Sequence, residues 1–173
     1  MRLPSRKAGK LQLRELCLLS LMGALMFASQ VAMSALANVH IVALLIILCC
    51  VVFSWKALYA VFVFVLLEVL VWGLGMWTVS YLYLWPLLAL AAIGLRNNDS
   101  ALLWAVLAAI HGLLFGAGCA IPYLLIGGWE MAFSYWISGI PFDLVHGGSN
   151  FVLTLVLYRP LKRIMLLGLG IRQ

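Results

Sequence analysis

The stretch IVALLIILCCVVFSWKALYAVFVFVLLEVLVW, Ile41 to Trp72, decides how this chain folds. It is too long for one membrane crossing, which takes about 20 apolar residues. Its polar break, Ser54-Trp55-Lys56, divides it into two apolar runs, 41–53 and 57–72. Upstream lies a run over 16–36, and downstream come 80–95, 101–126 and 138–158. Six spans are expected. The run 41–53 is short for a crossing, so it is expected to stand with little tilt or to borrow flanking residues.

The basic residues orient this arrangement. Arg2, Arg6, Lys7, Lys10 and Arg14 precede the first run. Lys56 lies in the second connection and Arg96 in the fourth, while Arg159, Lys162, Arg163 and Arg172 follow the last run. The odd-numbered connections contain neither Lys nor Arg. Short cytoplasmic loops retain basic residues, so all eleven are expected on the cytoplasmic side, with both termini. The fold class expected is an all-α, integral membrane six-helix bundle forming one domain over 1–173, multi-pass in a bacterial cytoplasmic membrane.

Composition agrees. Hydrophobic residues make up 66% of the chain and charged residues 9%, against about 25% charged in soluble domains. The net charge of +6 is gathered at the tails and reflects orientation and the lipid surface, not nucleic-acid binding. A basic segment before an apolar run, with Ala35-Leu36-Ala37 behind it, imitates a secretory signal. The run over 16–36 exceeds the usual signal core of about 7–15 residues, and its retention as a true span is expected. Cys17, Cys49, Cys50 and Cys119 lie in apolar runs without CxxC spacing and read as packing residues. Gly127-Gly128 is expected to end the fifth span and Pro160 the sixth. Ser100 or Asp99 is expected to cap the fifth.

Polar groups within apolar runs are rare and costly, which makes them candidates for function. Glu68 falls in the outer half of the third span. Asp143, His146 and Asn150 follow i, i+3, i+7 spacing and share one helical face. That face serves either an internal Asp–His hydrogen bond that locks helices together or direct ligand contact; both require it to point inward. His111, mid-way along the fifth span, reads as a packing histidine. Gln30, Asn38 and His40 add polar groups at the outer end, where they cap helices or meet a ligand.

Aromatics are concentrated on the same side. Trp72, Trp77, Tyr81, Tyr83 and Trp85 surround the third connection, and Tyr123, Trp129, Tyr135 and Trp136 the fifth. The cytoplasmic side has fewer, chiefly Trp55, Tyr59, Trp104 and Tyr158. Interfacial belts account for some of these. The excess, combined with a few directed polar groups, suits a small-molecule pocket. Without Lys or Arg on that side, a neutral or cationic ring-containing ligand fits better than a polyanion.

Two helices carry small residues at four-residue spacing: Ser20, Ala24, Ala28 and Ala32 on the first, and Ala108, Gly112, Gly116 and Ala120 on the fifth. Such stripes permit close helix approach in lipid. The fifth-helix stripe is assigned to packing within the chain; that on the first serves either this or a second protein. The sequence contains no GxxxxGK[ST] loop, HExxH or GxSxG, so an energy source for transport would lie in another subunit.

Taken together, 30–45 (QVAMSALANVHIVALL), Leu66-Leu67-Glu68, 81–86 (YLYLWP), 112–123 (GLLFGAGCAIPY) and 135–151 (YWISGIPFDLVHGGSNF) resemble the substrate-binding S component of energy-coupling factor (ECF) vitamin transporters. The likeness extends over nearly the whole chain and rests on the combination of stretches. It implies capture of a vitamin on the outer side, then docking on a membrane scaffold subunit driven by two ATPase subunits. The family's Ala-x-x-x-Ala docking pattern matches Ala24 and Ala28, and Ala32 extends it. The family's pocket would place Tyr81, Trp85, Tyr123, Trp136, Asp143, His146 and Asn150 near the ligand. The chain departs from the family at the turn after the second span, where Gly is expected near Ser54 and Ser stands.

The expected function is thus a non-catalytic binding subunit with no cofactor and no bound metal. Gln30, Asn38, Glu68, Trp77, Tyr81, Trp85, Tyr123, Trp136, Asp143, His146 and Asn150 are its candidate ligand contacts. Its candidate ligands are cobalamin, a pyridoxine-type vitamin, a pyrimidine precursor or a thiamine-like heterocycle. Two competing readings are an intramembrane enzyme using Glu68, Asp143 and His146, and an accessory membrane subunit whose polar residues only join helices.

Overall fold

The computed structural model describes residues 12–170. Arg2, Arg6, Lys7, Lys10 and Arg172 lie outside them. The described residues are all-helical: α1 (Leu13–Ala32), α2 (Val42–Phe53), a 3-10 turn (Ser54–Lys56), α3 (Ala57–Trp72), α4 (Met76–Leu95), α5 (Ala101–Cys119) and α6 (Ile121–Gly168). Five stretches among them are long and apolar enough to cross a membrane, with Val42–Trp72 counted as one.

Polar contacts at the helix ends set the directions. Lys56 Nζ lies 2.6 Å from Glu15 Oε2 at one end of α1 and α3. Gln30 Nε2 donates to Glu68 Oε1 over 3.0 Å at the other. These helices therefore run the same way, and α2 returns between them. At the midpoint, a Cβ added to Gly23 would stand 2.6 Å from the Ala60 carbonyl oxygen, so α1 rests directly on the α3 backbone. The turn from α2 into α3 occurs at Ser54, with φ 56° and ψ −133°. This is the place where glycine was expected, and the backbone has the conformation glycine favours. Arg96, just past α4, donates to the Ser54 hydroxyl.

Helix α2 is the centre of the molecule. Ten of its twelve residues are buried, and helices α1, α3, α4, α5 and α6 all pack against it. At 1.5 Å per residue it is only about 18 Å long. The expected explanations, small tilt or borrowed flanks, give way to another. Residues 33–41 form turns, and His40 at their inner end reaches Trp85, ten residues into α4, with ring centroids 6.0 Å apart. The connection dips into the bundle, and α2 begins at that depth. Non-helical backbone at such a level is tolerated where protein surrounds it.

Helices α5 and α6 form a close hairpin. Gly128 is the one residue inside α6 with non-helical backbone (φ 72°, ψ −168°). The chain reverses there, as Gly127-Gly128 had suggested. Residues 121–127 continue beyond α5 through Ala120, which keeps helical angles. Asn150 Nδ2 donates to the Ala108 carbonyl, a Cβ on Gly112 would lie 2.8 Å from Gly147 N, and Gly116 N–H donates to Asp143 Oδ1 over 2.9 Å. The Ala108–Gly112–Gly116 stripe thus packs within the chain.

Other boundaries require correction. The first helix is Leu13–Ala32, since residues 33–36 have left the helix, and the fourth starts at Met76, where the Gly75 N–H donates to Thr78 Oγ1 over 3.1 Å. The sixth starts well before Ser138, directly after Gly128, and passes both Pro141 and Pro160 to end at Gly168. Each proline removes one N–H, yet Gly128 is the one residue of α6 that departs from helical backbone. Ser100 is the cap of α5, accepting from Leu103 N–H at 3.3 Å. Cys49, Cys50 and Cys119 are buried free thiols, whereas Cys17 is exposed.

Candidate functional site

Three histidines occur in the chain, and all three come together, two of them against Trp85. His40 comes from the 33–41 connection, His111 from α5 and His146 from α6. The His40 and His146 centroids are 4.9 Å apart, and those of His111 and His146 6.4 Å. Trp85, with no exposed surface, lies 5.1 Å from the His111 ring. Phe115 closes the group, 5.0 Å from His146 and 5.2 Å from Trp85. Tyr81 extends it one turn along α4, touching Trp85, Phe115, Phe64 and Trp77.

Buried polar atoms without a protein hydrogen-bond partner gather in the same region. They are His40 Nδ1, Trp85 Nε1, His111 Nδ1, His146 Nε2, Asp143 Oδ2 and Gln30 Oε1. Native interiors pair nearly all such atoms, so a cluster of them calls for a specific account. Thr154 Oγ1 and Tyr158 Oη are also unpaired, but further along α6.

The expected residues divide into three groups. Trp85, Tyr81 and His146 belong to the aromatic cluster, with Trp77 at its margin. Glu68 is buried and hydrogen-bonded to the half-buried Gln30, and Asp143 stands on the α5–α6 seam with one oxygen held by Gly116. Asn150 spends its amide on Ala108, joining the two helices. The remaining three lie apart. Asn38 is exposed and contributes its carbonyl to Ser149 Oγ at 3.2 Å. Tyr123 stacks on Tyr135 at 4.3 Å near the hairpin tip, about 10 Å beyond Gly116 by helical rise. Trp136 is partly exposed and packs against Phe133.

From the sequence His111 reads as a packing residue, His40 as either a cap or a ligand contact, and Phe115 does not stand out. The overlooked signal was that the three histidines are the only ones in the chain. Asp143 and His146 form no hydrogen bond with each other among the described residues; Asp143 instead joins α6 to α5 through the Gly116 N–H. Nor is any group of three or more His, Cys, Asp or Glu side chains arranged to hold a metal ion among the described residues.

The α1 stripe points elsewhere. Glu15, Leu19, Gly23 and Met26 form the buried face of α1. Ala24 is half-buried on the flank, and Ala28 and Ala32 are exposed.

No protein-family model, no curated protein and no solved structure matches the chain.

Proposed function

We propose that this chain is the solute-capturing membrane subunit of an ECF-type importer, crossing the bacterial cytoplasmic membrane six times with both ends in the cytoplasm. It binds a vitamin-like heterocycle from the outer side and delivers it by docking on a scaffold subunit driven by two ATPases. One observation carries this reading: six of the eight unpartnered buried polar atoms among the described residues gather around a ring-lined cluster midway along α4 and α5. Such groups suit a ligand that supplies the missing hydrogen bonds. The small, exposed Ala28 and Ala32, with half-buried Ala24 beside them, supply a surface for close helix approach. The binding subunit performs no chemistry. Release requires that docking favour a state with lower affinity, since a ligand shifts an equilibrium only through differential binding.

The test is the double variant Ala24→Trp/Ala28→Trp. Binding of the vitamin by the isolated subunit should persist while cellular uptake with the scaffold and ATPases is lost. Undiminished uptake would remove α1 as the docking face.

A further inference from the structure

The unpaired atoms differ in chemical character, and their arrangement specifies more than a generic pocket. His111 Nε2 lies 3.2 Å from the Leu84 carbonyl oxygen. A carbonyl only accepts, so Nε2 carries the proton, and Nδ1 of the neutral ring is left as an acceptor. Trp85 Nε1, on the adjoining ring, can only donate. His40 Nδ1 and His146 Nε2 add two further imidazole nitrogens on rings in edge contact. This inner layer therefore offers donors and acceptors side by side.

The flanking groups are one-sided. Gln30 gives its amide N–H to Glu68, which leaves Oε1 as an acceptor. Asp143 has one oxygen on Gly116 N–H and the other free, again an acceptor. No Lys or Arg occurs between Lys56 and Arg96 or between Arg96 and Arg159, the chain that builds α3 to α6 around this region. A phosphate or carboxylate brought here would face acceptors and carboxylates with no cation to offset its desolvation.

We propose that Trp85, His40, His111 and His146 form the floor of the solute site and select a hydroxyl- or amino-bearing heterocycle in uncharged or singly cationic form. The phosphate ester of that heterocycle is rejected. This rests on the solute-binding reading above and adds to it the groups that read the solute and the charge they accept.

The test uses the full chain in lipid nanodiscs, titrated calorimetrically with pyridoxine, thiamine, 4-amino-5-hydroxymethyl-2-methylpyrimidine and cobalamin, then with the phosphate esters of the first three. Wild type is compared with His40→Phe, His111→Phe, His146→Phe and Trp85→Phe, each checked for folding by thermal unfolding and gel filtration. Phenylalanine keeps a ring and removes the hydrogen-bonding nitrogens. One parent compound should bind, with its ester bound at least about 100-fold more weakly; folded histidine variants should lose about ten-fold or more, the usual scale for a buried hydrogen bond left unmade. Should a helix variant fail to fold, His40→Phe, which lies outside any helix, carries the comparison.

Unchanged affinity in the folded ring variants would overturn the proposal, because those nitrogens would then hold only water. Equal binding of the phosphate ester would overturn the charge rule. Binding of Zn2+ alone that each histidine variant abolishes would make the cluster a metal centre instead. Failure of wild type to bind any of the seven compounds would sink the solute-binding reading itself, a result distinct from the other three.

Discussion

Ser54 is where local conformation and sequence disagree. Its φ of 56° with ψ −133° is a backbone state that residues with a Cβ seldom adopt and that costs about 1–3 kcal/mol. The hydrogen bond from Arg96 offsets part of this. Ser54→Ala and Ser54→Gly both lose that bond, but only glycine relieves the backbone. The glycine variant should be the more stable of the two by about 1 kcal/mol or more, even after its larger unfolded-state entropy. Thermal unfolding of the two proteins in the same detergent checks this, and equal stability would show that the turn is unstrained. At this scale the sequence was informative where a polar residue interrupts an apolar run. Glu68, Asp143 and His146 stand out because polar groups within apolar runs are expensive to bury. Gln30 and Asn38 stand out by their place at the outer end, and Tyr81, Trp85, Tyr123 and Trp136 by aromatic crowding and the family likeness; neither signal determines whether a side chain turns inward. His40 was undervalued because the backbone carrying it is irregular, and no periodicity reveals that such a segment dips into the bundle.

Helix pairing explains which boundaries could be read and which could not. Gly128 was legible because a reversal at φ 72° suits glycine. Pro160 misled because proline ends many helices, yet the loss of one N–H did not outweigh the continuing helix through Gly168. The glycine stripe on α5 predicts two separable defects. At Gly112 an added methyl would stand 2.8 Å from the Gly147 nitrogen and 2.9 Å from its Cα, backbone that cannot rotate away. Gly112→Ala should therefore destabilise by about 1–3 kcal/mol through overpacking. At Gly116 the added methyl would collide with the Asp143 carboxylate, a side chain able to swing aside. Gly116→Ala should cost less stability, but it should weaken binding of whichever probe compound the wild type retains. Unfolding temperatures paired with titrations separate the cases. Identical behaviour of the two variants would mean that the stripe acts only as a spacer.

For the whole molecule, Val42–Trp72 is one continuous apolar stretch, and its two crossings are tested against a single one. A single crossing would leave Lys56 within the apolar layer and make α3 continue in the direction of α2. The pairs Glu15–Lys56 and Gln30–Glu68 instead align α3 with α1, which requires α2 to run back between them. Two crossings also put Lys56, Arg96 and Arg159 on one side, as the charge bias requires. We therefore predict that single cysteines, in a background lacking the four native ones, will label in two sets. A membrane-impermeant maleimide added to intact cells should reach Leu74→Cys and Trp129→Cys, at positions 85% and 69% exposed beyond α3 and at the hairpin tip. Asn98→Cys and Arg163→Cys should react only after permeabilisation. A single crossing reverses each later segment, so that Asn98→Cys and Arg163→Cys label from outside while Leu74→Cys and Trp129→Cys do not. That reversed pattern would place the histidine cluster in the opposite half of the membrane, and a solute arriving from outside would no longer meet it first.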